Sequence, residues 1–336
     1  MITIEQDLVE ASRDGDAAAF AELIAPYRRE LHAHCYRMTA SLDDADDLMQ
    51  EALLRAWRGL TCFEGRSSFR TWLYRIATNV CLTAIAKQAS RMLPAGLPGA
   101  ASETHDSSPP EMAWISPYPD AVDGAGGELA SPEARYEWRE SVELAFIAAV
   151  QHLSANQRAA LLLRDVLGFT AREVADALQT TTTAVNSALQ HARRTVQSRV
   201  HDPSQQVTLR ALGDDRLRSV VAEYMAAFER GDVNAIAAML AADATWSMPP
   251  SSQCYHGVQA IVDFLTRGPI RERWRHRATS ANGQLAVGCY LQEADSGIYR
   301  ATVIDVLTLR GAKILAVTSF ADGQLFSRFG LPESLQ

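Results

Sequence analysis

Residues 41–91 read SLDDADDLMQEALLRAWRGLTCFEGRSSFRTWLYRIATNVCLTAIAKQASR. The first eleven of these residues include five carboxylates, and no acidic residue follows Glu64. Apolar residues recur at helical spacing on both sides of Gly65, which predicts two amphipathic helices separated by a break. The first helix is acidic and the second is basic, so their outer faces are suited to partners of opposite charge.

The acidic helix is expected to begin after Ser41, which is followed three residues later by Asp44 in a capping arrangement. The helix dipole favours acids in the first turn, but it does not account for the polar residues further along the same face. We interpret this face as a binding surface for a basic protein, and the alternative is an ordinary solvated helix face. The candidate residues are Asp43, Asp44, Asp47, Gln50 and Glu51.

The second helix carries basic side chains interleaved with aromatic ones. Arginine and lysine neutralise phosphates and aromatic rings stack on unpaired bases, so this pattern indicates binding of a nucleic-acid strand. The candidate residues are Arg70, Trp72, Arg75, Asn79 and Lys87. Because Trp72 shares the apolar phase of the helix, a place in the core and a stacking role both remain open for it.

Residues 92–132 differ in composition from the preceding sequence. They are rich in Pro, Gly and Ser, and they contain acids but neither Lys nor Arg. A stretch of about forty such residues is too long for a loop within one domain, so we expect a linker between two domains. The segment 114–120, WISPYPD, is aromatic for a spacer, and it either docks on another part of the protein or forms a local turn.

Residues 133–203 predict a helical domain. Its second half has two short helices joined by a tight turn and followed by basic residues, which is typical of a helix-turn-helix. A generic three-helix bundle is the alternative. The expected N-terminal caps are Ser154 with Gln157, Thr170 with Glu173, and Thr181.

Residues 208–330 predict an α+β domain. Amphipathic helices come first, and alternating segments separated by turn signals such as Asn282-Gly283 follow. This order implies a curved sheet folded around helices. The expected strands are 275–281, 284–292, 298–310 and 312–320.

The composition of the whole chain is that of a globular protein. Its 336 residues are 47% hydrophobic and 21% charged, and no apolar run is long enough to cross a bilayer. The beginning of the chain lacks a secretory pattern, so we expect a cytoplasmic protein. Five widely spaced cysteines indicate reduced thiols, and neither a metal-ligand set nor a cofactor motif is expected. The net charge of −8 does not exclude nucleic acid, because local patches decide binding.

Three segments resemble, in this order, the second and fourth regions of bacterial sigma-70 family RNA polymerase sigma factors of the extracytoplasmic-function (ECF) group. They are DDADDLMQEALLRAW, FRTWLYRIATNVCLTAIAK and FTAREVADALQTTTTAVNSALQHARR. Two further segments, RSVVAEYMAAFERGDVNAIAAMLAADATW and HGVQAIVDFL, resemble the SnoaL-like domain, a relative of the ketosteroid isomerase and nuclear transport factor 2 (NTF2) cone. The resemblance implies two all-α sigma domains at 1–91 and 133–203, the linker at 92–132, and an α+β cone at 208–330.

The resemblance implies a transcription initiation factor whose partners are core RNA polymerase and promoter DNA, with no membrane partner. It assigns the acidic helix to the polymerase, the second helix to the melted minus-ten element, and the last helix of the helix-turn-helix to the minus-thirty-five element. The family often carries Lys or Arg where this chain has Asn186 and Ala188, so we expect weak upstream binding unless polymerase tethers it. The minus-thirty-five candidates are Thr182, Thr183, Asn186, Ser187, Gln190, Arg193 and Arg194.

A cone encloses a pocket, although the resemblance leaves open whether this one binds a small ligand or whether an anti-sigma factor exists. General acid-base catalysis needs a group with a shifted pKa in that pocket, and no spacing singles one out. We therefore expect a regulatory domain without catalytic residues. The alternative is a SnoaL-like small-molecule enzyme or sensor fused to a DNA-binding repressor. The candidate pocket residues are Trp246, Met248, Tyr255, His256, Trp274 and Asp305.

Overall fold

A computed structural model describes residues 2–87, 91, 93, 114–120, 132–200 and 203–336. These residues divide into two compact units. The first, here called the helical unit, comprises 2–87 and 146–200, and the second, the mixed unit, comprises the remaining described residues. The expected boundaries at 1–91, 92–132, 133–203 and 208–330 differ from this division, because residues 132–145 belong to the mixed unit.

The helical unit begins with two helices that precede the acidic stretch and one that packs beneath it. The acidic stretch itself starts where expected, because the Ser41 hydroxyl accepts the backbone N–H of Asp44. The next helix starts after Ser68, whose hydroxyl accepts the N–H of Thr71. The helices are α1 (Ile2–Arg13), α2 (Ala17–Ile24), α3 (Arg28–Thr39), α4 (Leu42–Gly59) and α5 (Phe69–Ile85).

The helix-turn-helix is confirmed. Both predicted capping boxes form, and the Thr181 hydroxyl accepts the N–H of Ala184 at the start of the last helix. The helix that begins at Ala155 changes into a turn of π-helix at Leu162–Val166. The α-helices are α6 (Pro132–Glu140), α7 (Leu144–Gln151), α8 (Ala155–Leu161), α9 (Ala171–Ala177) and α10 (Thr182–Gln197).

Within the helical unit, a buried guanidinium joins α8 to α3. Arg158 is 2% exposed and donates to the carbonyl oxygens of Val150 and Met38, among others. Burial lowers the pKa of this guanidinium to about 10, which still leaves it charged near neutral pH. The carbonyls satisfy the donors, as a buried charge requires. Arg158 therefore helps to fix how α8 packs on α3.

The mixed unit is a largely antiparallel sheet packed against helices. Its strands have the order β2-β1-β6-β5-β4-β3, with β7 paired to β5. The alternating segments predicted from the sequence are confirmed as β3 to β6, and β1 joins β6 in parallel. The elements are α11 (Gln205–Leu212), α12 (Asp214–Glu229), α13 (Val233–Met239), α14 (Val258–Arg267), β1 (Leu240–Ser247), β2 (Cys254–His256), β3 (Trp274–Ala281), β4 (Gln284–Gln292), β5 (Tyr299–Arg310), β6 (Lys313–Phe320) and β7 (Ser334–Leu335).

The core of the mixed unit lies between the concave face of the sheet and helices α12 and α14. Tyr224 and Phe228 of α12 pack against Trp246 of β1, with ring centroids 6.5 and 6.0 Å apart. Ile261 and Leu265 of α14 are fully buried in the same cluster. Aromatic and aliphatic side chains fill this space, and burial of their apolar surface holds α12 and α14 against the sheet.

Candidate functional site

Helix α4 buries one face and exposes the polar one. Leu42, Ala45, Ala52 and Ala56 are at most 1% exposed, which fixes the orientation of the helix. Asp46 lies towards the protein and contacts the imidazole of His32, with an Nε2–Oδ1 distance of 3.0 Å. Asp46 is therefore engaged within the helical unit.

The opposite face of α4 holds the five candidate residues. Asp43, Asp47 and Gln50 are exposed, while Asp44 and Glu51 are half-buried. Glu51 also pairs with Arg55 one turn later at 2.6 Å, an exposed pair that contributes little to stability. Leu54, which is 50% exposed, is an apolar side chain of the same helix. A row of acids with one apolar side chain at its end can dock on a basic protein surface.

Helix α5 exposes two of its candidates, and a third lies just beyond its end. Arg75 and Asn79 are exposed one helical turn apart, and Lys87 is exposed two residues after Ile85, the last residue of α5. Together they offer two positive charges and one amide, which suits a phosphate backbone.

The other two candidates of α5 make contacts within the helical unit, and for Trp72 the structure shows the core position that the sequence left open beside stacking. Trp72 is 7% exposed and packs against Phe63 and Phe69. Arg70 donates to the carbonyl oxygen of Leu167 at 2.8 Å, and its guanidinium lies 4.4 Å from the centre of the Phe169 ring. The apolar phase of the helix accounts for Trp72, and the nearness of the helix-turn-helix accounts for Arg70.

All seven candidates of α10 are exposed, because Val185, Leu189 and Ala192 turn the opposite face towards the core. Arg193 already has a partner: its Nε and Nη2 donate to the two carboxylate oxygens of Asp165 at 2.8 and 2.6 Å. Asp165 lies in the π-helical turn before α9. The exposed face of α10 is therefore polar but carries less free positive charge than the sequence suggests.

Inside the cone, the Asp305 carboxylate is the centre of a hydrogen-bond network. It accepts from the hydroxyls of Tyr224 at 2.8 Å and Ser319 at 2.5 Å, and from the Cys289 thiol at 3.3 Å. Trp246 donates its indole N–H to Ser319. Burial raises the pKa of Asp305, while these donors lower it again. Protein side chains thus use the acceptor positions that a substrate would need.

The remaining candidate pocket residues do not converge on Asp305. His256 is exposed, and Tyr255 stacks on Phe264 with ring centroids 4.3 Å apart. Trp274 is half-buried and donates its indole N–H to the carbonyl oxygen of Pro269. Met248 is half-buried at the edge of the same apolar cluster. Of the six predicted residues, only Trp246 and Asp305 share one network.

The WISPYPD segment docks on the mixed unit, which settles the choice between docking and a local turn. Tyr118 is fully buried, and its N–H and C=O pair with the side-chain oxygen and backbone N–H of Asn282 at 2.9 and 2.8 Å. Asp120 accepts the N–H of Gly283 at 2.7 Å. The tip of the β3–β4 hairpin therefore holds residues 118–120 of the predicted linker.

The same hairpin tip also holds the chain beyond the linker. The Asn282 amide donates to the carbonyl oxygen of Val142, and Gln284 accepts the N–H of Leu144. Asn282 is fully buried with φ +56°, a left-handed conformation that Asn tolerates better than most residues. The sequence shows Asn282-Gly283 only as a turn signal. The aromatic WISPYPD segment is the one hint that something docks there.

Glu143 completes this junction, here defined as residues 118–120, 142–144, 205–206 and 282–284. It is 2% exposed and accepts the backbone N–H groups of Gln205 and Gln206 at the start of α11. Burial raises the pKa of this carboxyl to about 7. Gln205 in turn exchanges two hydrogen bonds with the peptide of Leu309. The junction consequently ties α11 to both the linker side and the sheet.

Two further expectations concern metals and membranes. Across the described ranges, no three His, Cys, Asp or Glu side chains cluster as a metal site requires. His34 is buried against the Thr78 hydroxyl, and burial lowers its pKa to about 3. None of the helices in the described part of the chain combines the length and apolar character of a membrane span.

An acidic helix face, a basic helix face and a helix-turn-helix within one unit define a DNA-binding protein with a separate protein-docking surface. Comparison with known proteins identifies its family. Residues 23–91 match the model of sigma-70 region 2, residues 143–196 that of sigma-70 region 4, and residues 221–317 that of the SnoaL-like domain.

The chain is 45% identical over 328 residues to the ECF RNA polymerase sigma factor SigG of Mycobacterium tuberculosis, covering 96% of this chain and 86% of that one. It is 29% identical over 196 residues to the ECF RNA polymerase sigma-E factor of Escherichia coli K12, covering 58% of this chain and 94% of that one. The protein belongs to the ECF group of RNA polymerase sigma factors and carries a C-terminal SnoaL-like domain.

A solved structure shares the fold. The ECF sigma factor SigJ of Mycobacterium tuberculosis aligns with a TM-score of 0.61 and 21% identity, covering 93% of this chain and 99% of that one. The architecture of two sigma regions followed by an α+β domain thus occurs in a protein of low sequence identity.

Proposed function

We propose that the protein initiates transcription by docking core RNA polymerase on the outer face of α4 and holding promoter DNA with α5 and α10. Membership of the ECF group supports this function for the whole chain. The observation that carries the assignment of faces is the orientation of α4, which buries its alanines and leaves Asp47 and Gln50 in solvent. Acids in that position attract a basic surface and raise its rate of association.

For the melted minus-ten strand, the proposal relies on Arg75, Asn79 and Lys87. These three are exposed, whereas Arg70 and Trp72 are engaged within the helical unit. For the upstream element, the exposed face of α10 supplies polar readers such as Asn186 and Gln190. Amide side chains at these positions can make paired hydrogen bonds to base edges in the major groove.

The mixed unit is proposed to regulate initiation by holding the linker. The Asn282 contacts with Tyr118 and Val142 support this role, because they fix the chain on both sides of residues 121–131. A linker held in this way is not free to follow another path, so its release becomes a step that a signal can control. The proposed division of the chain into segments 1–91, 92–132, 133–203 and 208–330 stays a prediction.

A non-catalytic role for the SnoaL-like domain is part of the proposal. General acid-base catalysis needs an acid or base that can reach a substrate. Three protein donors occupy the oxygens of Asp305, and His256 lies in solvent away from this network. These contacts favour a structural carboxylate over a catalytic one.

In vitro transcription with core polymerase and a promoter of this factor tests the assignment of α4. We expect the charge reversals Asp47→Lys and Glu51→Lys, made together, to lower core binding and promoter-dependent transcript at least tenfold, because attraction becomes repulsion. The matched control is Glu22→Lys, an exposed acid of α2 outside this face. It should leave transcription unchanged.

The same experiment separates the proposal from a repressor that never contacts polymerase. A repressor would bind its DNA equally well with or without the two reversed charges, and it would yield no promoter-dependent transcript with core enzyme. Equal loss of activity in the Glu22→Lys control would remove the special role of α4.

A test of regulation uses Asn282→Ala in the full-length chain. If the held linker limits initiation, this variant should change the amount of transcript at equal core affinity. An unchanged transcript, with the linker shown to be released by faster hydrogen exchange at Tyr118, would contradict regulation through this junction.

A further inference from the structure

The Asp165–Arg193 pair lies beside a groove on the exposed side of α10. The groove has a volume of about 580 Å³ and is lined by Arg164, Asn186, Leu189, Gln190, Arg193, Arg194 and Gln197. Three arginines border it, but their surroundings differ. Arg164 donates through Nη1 to the carbonyl oxygen of Phe169, and only Arg193 is bound by a carboxylate at both Nε and Nη2.

The pair changes what Arg193 can contribute to DNA binding. A bidentate carboxylate satisfies one whole edge of the guanidinium and cancels its charge at distances beyond a few ångströms. An arginine with such a counter-charge attracts phosphate less strongly than a free arginine and displaces fewer counterions from DNA. Hydrogen bonding to Asp165 also raises the pKa of Arg193.

We propose that Asp165 is a specificity-determining residue of the upstream promoter interface, acting as a fixed counter-charge that withholds Arg193 from backbone phosphate. The proposal rests on the proposed role of α10 in reading promoter DNA. Binding to arbitrary DNA depends almost entirely on phosphate contacts, whereas binding to the promoter also uses base contacts from the polar side chains of α10. A counter-charge therefore weakens binding to arbitrary DNA more than it weakens binding to the promoter.

The geometry favours Asp165 for this role over a purely structural one. The side chains of Asp165 and Arg193 are 30% and 52% exposed, and an ion pair in water contributes at most about 1 kcal/mol to folding. The helix-turn-helix already has its own apolar core of Val174, Val185 and Leu189. Loss of the pair should thus alter the charge of the groove without unfolding the domain.

The test compares holoenzymes assembled from core polymerase and the full-length chain carrying Asp165→Asn, Arg193→Ala, both changes, or neither. Each is titrated with a promoter duplex and with the same duplex carrying a scrambled upstream element, between about 50 and 200 mM salt. The asparagine keeps the shape of the side chain and removes its charge. Asp176→Asn is the control, because Asp176 is an exposed acid of α9 that does not line the groove.

With Asp165→Asn, the slope of log affinity against log salt should steepen by about 0.9, the contribution of one phosphate contact. Affinity should then fall about 3.5-fold more than in the wild type across that salt range. The ratio of promoter to scrambled affinity should decrease. Arg193→Ala should have little effect alone and should restore the wild-type slope when combined with Asp165→Asn.

An unchanged slope in Asp165→Asn, or a loss of affinity in that variant, would overturn the proposal, since either result makes Asp165 irrelevant or helpful to DNA binding. A wild-type holoenzyme that does not distinguish promoter from scrambled DNA would instead contradict the upstream reading role of α10.

Discussion

The acids of α4 and the acids of the mixed unit differ in their exposure to solvent and in their hydrogen bonding. Asp47 of α4 is exposed to solvent. Asp305 and Glu143 are 5% and 2% exposed, and every hydrogen bond described for them comes from the protein itself. Exposed acids keep their full charge for a partner, while buried acids use their oxygens to hold the fold together.

This difference teaches that a carboxylate in a sequence has two possible roles, and that burial decides between them. Substitution of an exposed acid should change binding and leave stability almost unaltered. Substitution of a buried, hydrogen-bonded acid should do the reverse.

The largest effect is expected from Asp305→Ala. The change leaves the donors of Tyr224, Ser319 and Cys289 buried without their acceptor, at a cost of about 1–3 kcal/mol each. We expect the free energy of unfolding of the mixed unit to fall by about 4 kcal/mol, measured by urea denaturation. Asp243→Ala, which removes an exposed partner of Arg310, should cost less than about 1 kcal/mol. Similar losses in both variants would break the comparison.

The second largest effect is expected on the pH dependence of the free energy of unfolding, through Glu143. Its pKa is about 7 in the folded protein and 4.5 ordinarily, so the folded state binds the proton more tightly than the unfolded state. The resulting stabilisation is complete below pH 4.5 and is lost as pH rises through about 7, by about 3 kcal/mol in all. We therefore expect the unfolding free energy of the wild type, minus that of Glu143→Gln, to decrease as pH rises from 4.5 through about 7. A difference that rises with pH would contradict the stated burial of the carboxyl.

Asn282→Ala should have a smaller and more local effect. It removes side-chain hydrogen bonds to Tyr118 and Val142, which we expect to weaken linker docking by about 2 kcal/mol, or about 30-fold. Amide hydrogen exchange at Tyr118 should accelerate by that factor. Asn282→Gly separates the causes, because glycine accepts the left-handed backbone without strain but lacks the amide. Wild-type exchange in the glycine variant would show that the side-chain amide is unnecessary.

The smallest effect on stability should come from the exposed acids. Neutralising Asp47 and Glu51 together, as Asn and Gln, should alter the free energy of unfolding by less than about 0.5 kcal/mol. Core polymerase affinity should nevertheless fall measurably, as a binding assay with purified core enzyme would detect. A large loss of stability would show that Asp47 and Glu51 stabilise the fold as Asp305 and Glu143 do, and would contradict the difference between exposed and buried acids.

Local signals predicted the secondary structure well. Hydroxyl caps at Ser41, Ser154, Thr170 and Thr181 lie where the sequence places them, because a cap depends only on residues within one turn. The strands of the mixed unit were also predicted, because the alternation of apolar and polar residues is a local pattern too. Helices α1 and α11 were not predicted, since neither region was interpreted from its pattern.

Sequence periodicity was less informative about the sites. It indicates which residues share a helix face, but not which distant segment covers that face. Arg70 is an example, because its position on α5 does not indicate that it contacts the carbonyl of Leu167 and the ring of Phe169. The pairing of Arg193 with Asp165 joins residues 28 positions apart and leaves no local trace in the sequence.

The contacts at Asn282 have a consequence for how this protein can vary during evolution. Its side chain pairs with peptide groups of positions 118 and 142 and not with their side chains. Every residue type offers a carbonyl oxygen, and every type except proline offers the N–H that position 118 donates. The composition of the linker can therefore drift between its two fixed points while its attachment to the hairpin persists.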